Sequence, residues 1–471
     1  MRKADIEIEE LKDAEPLGIF ASLKDRPYPF FLDSACGHDR LGRFSFLGCD
    51  PFLVFRSKRD RVTLEYKSGT VSTFRSNPFQ ALKELLNRYE VSFGSKTVPF
   101  LSGAVGYFAY DLKDFVEKLP DNACDDLNLP DCILGFYNTV IACDNISGKT
   151  YIANCKLPEV GNLQPALCIH PRLKSFKRRI NAGGHKASDK PSSRSIVIES
   201  NFSKSSYLKS IEKAKRYIKK GDIYQVNLSQ RFLARTDMDP TELYLRLRKV
   251  SPAPFSSYLG FGEVAIASSS PERFLMKKGR YIETRPIKGT APRGGDIIAD
   301  SCFREGLLRS QKDRAEHIMI VDLERNDLGR MCTYGSVRPA DTFVLEKYSN
   351  VFHLVSTVTG RLNNGVGAVD CLESAFPGGS ITGAPKIRSM EIIEELEPVK
   401  RSVYTGAIGY ISFDGDMDTS IAIRTFVIKD RCAYFQVGGG IVADSDPEKE
   451  YEETLHKAKG LIQALGVGGG R

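Results

Sequence analysis

One lysine stands out as a group able to do chemistry: Lys288, in the run Pro286-Ile287-Lys288-Gly289-Thr290. Upstream, Ser270-Pro271-Glu272 supplies an acid. The residues between them alternate in polarity about Gly279 and read as a β-hairpin. Folding at Gly279 brings Glu272 to about the level of Arg285 or Pro286, with Lys288 one diagonal step of roughly 7–8 Å away if both share a face. A slip of one residue would put them on opposite faces, and the sequence leaves the register open. On one face, a carboxyl and an amine make an acid and a nucleophile in one cleft. The bland account is a strand-end lysine in solvent, the usual place for that side chain. Against it, Pro286, Gly289, Thr290 and Pro292 hold the backbone in set conformations around this one long cation.

Further acids have helical spacing. Glu450 and Glu453 lie three apart, with Lys457 four beyond, so the three share a helix face. Glu316 belongs to an earlier helix. Carboxylates from two helices without a Cys or His cluster suit Mg²⁺, a hard cation that keeps some of its waters. Plain surface Glu–Lys pairing is the alternative. Two glycine-rich runs offer anion cradles: 378–386, which opens a helix through Glu397, and Gly438-Gly439-Gly440. The first is not a Walker A loop, because Ala384-Pro385 stands where Lys-Ser/Thr is required. Arg424 adds a bidentate carboxylate contact. Two cradles and a divalent cation suggest a small substrate with two carboxylates. His353, alone on a strand, is a residue type more often structural than catalytic. There is no Gly-x-Cys-x-Gly elbow or Ser-His-Asp arrangement, so a resident glutaminase or hydrolase is not supported.

Helical periodicity marks 79–89, 207–220 (stopped by Gly221), 313–328 and a last helix opened by Asp446-Pro447. Strands are expected at 30–34, 43–48, 100–111, 223–232, 348–360 and 433–442, and as a pair within 403–425 joined through Asp414-Gly415. Residues 1–180 read as an N-terminal region, 181–196 as a flexible linker and 197–471 as the catalytic region. The chain of 471 residues is 41% hydrophobic and 27% charged, enough for a sizeable core. Its net charge of +8 suits anionic small molecules and is too weak to argue for nucleic acid. Eleven scattered cysteines with no C-x-x-C pair, and no apolar leader, read as reduced thiols of a cytoplasmic protein. No window is long and apolar enough to span a membrane.

Several runs in fixed order resemble the chorismate-utilising enzyme family: 223–227, Ser270-Pro271-Glu272, 286–290, 316–330, 353–358, 379–386 and 445–457. The resemblance implies an α+β fold of the anthranilate synthase component I type. Helices would pack outside two antiparallel-rich sheets, with the active-site cleft between them. It implies Mg²⁺ held by Glu316 and Glu453 with Glu450 close by, and Lys457 supporting these carboxylates. Arg424, Tyr404, Gly438 and Gly439 would hold the enolpyruvyl carboxylate. Thr382 and Gly383 would touch chorismate, and His353 would line its ring. Gln225, where water-adding members carry Lys, disfavours isochorismate and salicylate chemistry. Lys288, where anthranilate synthases usually carry Ala, points to the C4-aminating branch, aminodeoxychorismate synthase component I. That branch makes 4-amino-4-deoxychorismate for 4-aminobenzoate and folate. Glu272 would protonate the departing 4-hydroxyl, and Lys288 would attack C2 covalently before ammonia displaces it. Ammonia would come from a separate glutamine amidotransferase subunit. The expected alternatives are anthranilate synthase component I and a silent subunit that only binds the amidotransferase. Phe31-Leu32-Asp33-Ser34 stands where relatives can carry a tryptophan-binding Leu-Leu-Glu-Ser, leaving amino-acid binding open.

Overall fold

The computed structural model describes residues 2–3, 5–12, 14–36, 41–94, 96–157, 196–348 and 351–467. Residues 181–195 of the expected linker lie outside them. Two twelve-stranded sheets, antiparallel throughout, face each other, so the fold is α+β. Strands from before residue 157 and after residue 198 share both sheets. In one, Gly103–Phe108 pairs with Ala407–Ser412, placing Gly106 opposite Gly409. Neither glycine has room for a Cβ, which would meet backbone oxygen at 1.8 Å and 2.2 Å respectively.

The space between the sheets is filled by alternate side chains of both. Phe46, Ala142 and Leu259 come from one, and Val54, Tyr107, Ile133 and Ile408 from the other. Helices cover the outer faces. Pro78–Arg88 and Ala368–Ala375 pack on one sheet, and Pro240–Val250 and Pro447–Ala464 on the other. The helix expected from the 79–89 period starts as its sequence directs: Asn77 caps it by accepting from the Phe79 N–H at 2.8 Å, and Pro78 takes the first turn. Asp446 caps Pro447–Ala464 in the same way, accepting from Lys449 at 3.0 Å. The expected strand at 100–111 is shorter, Gly103–Phe108, because the chain turns into a 3-10 helix at Tyr110–Phe115.

The strands that matter most begin with the hairpin. Arg273–Lys278 pairs with Tyr281–Arg285, and Arg273 stands opposite Arg285. Glu272 therefore sits at the level of Pro286. Past that proline the chain runs on along the same neighbour as Ile287–Pro292, since Thr284 opposes Val358 and Ile287 opposes Val355 on Val351–Arg361. Pro286 supplies no N–H, and the ladder is kept by its carbonyl, which accepts from Ser356 at 3.3 Å. The register then shifts between Ile287 and Thr290, so Lys288 sits on a β-bulge whose second residue, Gly289, has φ +87°.

Among the described residues no helix is long and apolar enough to cross a membrane.

Candidate active site between the two sheets

The bulge on one sheet faces the strand Cys432–Ile441 of the other. A Cβ built on Gly440 would lie 2.9 Å from Lys288 Nζ and 2.4 Å from Gln225 Nε2, so both side chains fill the space this glycine leaves. Lys288 is aimed by its backbone. The imidazole of His317, fully buried on helix Gln311–Gly329, meets the Lys288 carbonyl at 3.2 Å through Nδ1 and Ser356 Oγ at 2.5 Å through Nε2. One turn face of the same helix presents Glu316, whose carboxylate is 3.9 Å from Lys288 Nζ. Burial lowers the Lys288 ammonium pKa below its usual range. Glu316 opposes that, and the neighbouring Lys457 adds to it.

Glu272 is 5% exposed. Ser380 Oγ donates to it at 2.6 Å, and the Ile287 N–H donates as well. Burial nevertheless lifts its carboxyl to about 7, against the pull of Ser380 and Lys288. It therefore holds a proton close to neutrality, as a general acid must. Ser380 stands on the one-turn helix Gly379–Ile381, inside the glycine-rich run. Glu324, itself raised by burial and by Asp327, accepts from the Gly379 N–H at 3.1 Å and fixes that turn from behind.

Two of the carboxylates expected to hold a metal, Glu450 and Glu453, meet over Gly439. Glu450 Oε2 and Glu453 Oε1 lie 3.3 Å and 3.8 Å from a Cβ built on Gly439. Burial, then the charge of Glu453, raises Glu450; burial, then Asp313, then Glu453, raises Glu316, so Glu453 acts on both. Burial acts upward on Glu453 too, but Lys457, at 2.7 Å, outweighs it and holds that group low. Among the described residues no three acidic, His or Cys groups are already drawn into a metal-holding cluster. Oxygen-only donors in mutual repulsion, from two helices, fit a hydrated Mg²⁺ that would draw them together.

The remaining expected site residues fall in two groups. Arg424, with φ +51°, lies within electrostatic reach of Glu272 and His353. His353 is buried; Nδ1 meets Thr290 Oγ1 at 2.9 Å, and Nε2 has no partner. Burial, then Arg424, keep its ring neutral. Gly438 and Gly439 lie on a stretch of Cys432–Ile441 beyond Phe435, where the pairing with Thr425–Lys429 ends, and Lys457 donates to the Gly438 carbonyl at 2.9 Å. The other group holds the frame. Thr382 donates to the carbonyls of Gly378 and Gly379 at 3.0 Å and 3.2 Å. Gly383 has no room for a Cβ, which would meet Gln225 O at 2.2 Å. Tyr404 is stacked beside Arg401, 5.8 Å from its guanidinium. Lys386, at the helix start that looked like an anion site, turns back to Asp327 at 2.8 Å.

Reading by residue type missed Ser380, His317 and Glu324 as partners of the acid and the amine. Ser380 lay inside a quoted run, but nothing local signals that its hydroxyl reaches back across 108 positions to Glu272.

The chain matches the chorismate binding enzyme family over residues 29–463 and belongs to it. Among curated relatives it is 40% identical to anthranilate synthase component 1 of Aquifex aeolicus, over 98% of this chain and 94% of that one. It is 38% identical to the protein of the same name from Acetivibrio thermocellus, over 96% and 92%. Among solved structures it resembles anthranilate synthase component I from Streptococcus pneumoniae, with TM-score 0.78 and 31% identity over 90% of this chain and 93% of that one.

These relatives correct the assignment drawn from Lys288. The C4-aminating reading, aminodeoxychorismate synthase with a covalent lysine and a role in folate and 4-aminobenzoate synthesis, gives way to the anthranilate synthase branch. One side-chain type was made to decide a branch that the whole chain decides. The amine beside Glu316 also has a use that needs no bond to substrate, as a counter-charge within the carboxylate group.

Proposed function

We propose that this chain is the large component of an anthranilate synthase. It converts chorismate and ammonia to anthranilate, pyruvate and water, the entry to tryptophan biosynthesis. Similarity to anthranilate synthase components over nearly the full length is the observation that carries the reading. The site chemistry agrees with it. Ammonia adds at C2 as the 4-hydroxyl leaves, and Glu272 gives that hydroxyl its proton so that it departs as water. Loss of the C2 proton then expels the enolpyruvyl group, which takes up a proton as pyruvate, and the ring becomes aromatic.

Glu316, Glu450 and Glu453 would hold Mg²⁺, with Lys457 balancing their charge. Bound there, the ion supplies positive charge for a substrate carboxylate. Arg424 and the Gly438 and Gly439 amides bind the other carboxylate, and His353 lines the ring as a neutral imidazole. Thr382, Gly383 and Tyr404 position the wall behind the substrate. A glutamine amidotransferase subunit supplies ammonia in the cytoplasm. The test is to incubate the chain with chorismate, Mg²⁺ and ammonium and identify the product by fluorescence and mass. Anthranilate with pyruvate is expected; 4-amino-4-deoxychorismate as the sole product overturns the reading.

A further inference from the structure

The acid Glu272 is held by two pieces of chain that lie far apart in the sequence: the hairpin it opens and the turn Gly379–Ile381 that carries its partner Ser380. One side chain ties the two together. Glu324, on helix Gln311–Gly329 and 3% exposed, accepts from the Gly379 N–H at 3.1 Å through Oε1 and meets Thr284 Oγ1 at 3.3 Å through Oε2. Thr284 lies on the hairpin strand Tyr281–Arg285, one residue before the Arg285 that opposes Arg273. The turn sits tight on the helix, since a Cβ on Gly379 would lie 2.7 Å from Leu323 Cδ2 and 3.0 Å from Glu324 Oε1. One turn along the helix, Asp327 is paired with Lys386 at 2.8 Å, and Lys386 also donates to the Ala375 carbonyl at 2.8 Å.

These partners suit a carboxyl that keeps its proton. An ionised carboxylate only accepts, whereas a neutral carboxyl accepts with one oxygen and donates with the other. Its carbonyl oxygen takes the Gly379 N–H, and its hydroxyl is given to Thr284 Oγ1. The surrounding charges agree. Burial, then Asp327, then Glu272 push the Glu324 carboxyl up, against Lys386 and Thr284.

We propose that Glu324 is a positioning residue for the general acid Glu272, a deepening that rests on the role given to Glu272 above. It clamps the hairpin to the Ser380 turn, so that the Ser380 hydroxyl stays on Glu272. It also carries no charge while Glu272 turns negative, the Glu272 proton leaving with the 4-hydroxyl as water. A second carboxylate behind the turn would oppose that new charge and slow the transfer.

The test follows chorismate consumption in Mg²⁺ and saturating ammonium, whatever the product. Glu324→Leu leaves the Gly379 N–H and the Thr284 hydroxyl without their partner. It should lower kcat about tenfold or more while KM for chorismate stays within about twofold. Glu324→Gln accepts and donates as the neutral acid does and should restore kcat to within about threefold of wild type at about pH 6.5. Glutamine cannot ionise, so the ratio of its kcat to that of wild type should rise by about threefold or more by about pH 9. Free ammonia changes equally for both proteins at each pH and cancels in that ratio. A ratio that stays flat overturns the proposal, as does a Glu324→Leu kcat near wild type or a KM that rises in step with the fall in kcat. Should Glu324→Leu fail to fold, the pH ratio of Glu324→Gln decides alone. Full turnover by Glu272→Gln removes the general acid and this proposal with it; the expected loss there with a flat Glu324→Gln ratio overturns the positioning role alone. A wild-type product other than anthranilate defeats the functional reading and leaves these ratios to judge Glu324.

Discussion

Replacing Glu272 with Gln separates two consequences of its burial. In the unfolded chain this carboxyl loses its proton near 4.5; in the folded chain it keeps it to about 7. Folding is therefore penalised progressively as pH rises through that window, and the penalty is complete above it. Integrated over the window, the cost is roughly 1 kcal/mol at about pH 5.5 and roughly 3 kcal/mol at about pH 8.5. Glu272→Gln carries no such penalty and still offers an oxygen to the Ser380 hydroxyl. Urea denaturation at the two pH values should show the wild type losing about 2 kcal/mol against the variant as pH rises. Chorismate turnover should move the other way: the variant has no proton to give the leaving hydroxyl and should lose about 10²–10⁴ in rate. A stability gap that does not change with pH would mean Glu272 is already ionised at neutrality. The general-acid assignment would then fail, whatever the activity of the variant.

Three further outcomes follow from the site. Lys288→Ala should keep anthranilate formation within about tenfold, and wild type quenched with chorismate should show no added mass on the intact chain; an adduct together with a loss beyond about a thousandfold would restore covalent catalysis by Lys288. Glu316→Gln and Glu453→Gln should each weaken Mg²⁺ binding by about tenfold or more in calorimetry, and an unchanged titration would remove them as ligands. Arg401 is buried, paired with Glu397 at 2.7 Å, and donates to the carbonyls of Asn227 and Ile381, joining the Gln225–Arg235 strand to the Ser380 turn. Arg401→Met should therefore destabilise the chain by about 3–5 kcal/mol in urea melts, since it leaves Glu397 buried and uncompensated.

Local chemistry made much of the frame legible. Asn77-Pro78 and Asp446-Pro447 start helices with a cap and a proline, and Gly279 closes the hairpin at the expected place. What stayed hidden is non-local. No local pattern tells that Gly103–Phe108 will pair with a strand three hundred residues later, or that the end of Cys432–Ile441 will face the bulge of the other sheet. That the Gln225 side-chain amide and Asn227 Oδ1 are buried without a hydrogen-bond partner was invisible for the same reason: whether a polar group is satisfied is a property of its surroundings after folding.

Lys288 shows where residue type alone misleads. Its position on a bulge, with Gly289 at φ +87° and its carbonyl held by His317, directs the amine to Glu316 and the strand over Gly440. A lysine so placed serves two chemistries. As a free amine it is a nucleophile; as an ammonium it balances carboxylates that would otherwise repel each other and the substrate. Burial favours the first and Glu316 the second. A Mg²⁺ ion among the same carboxylates would shift the balance further, neutralising the partner that keeps the ammonium charged. What the Lys288 amine does thus depends on which charges surround it once substrate and metal have arrived, and the fate of Lys288→Ala reads that directly.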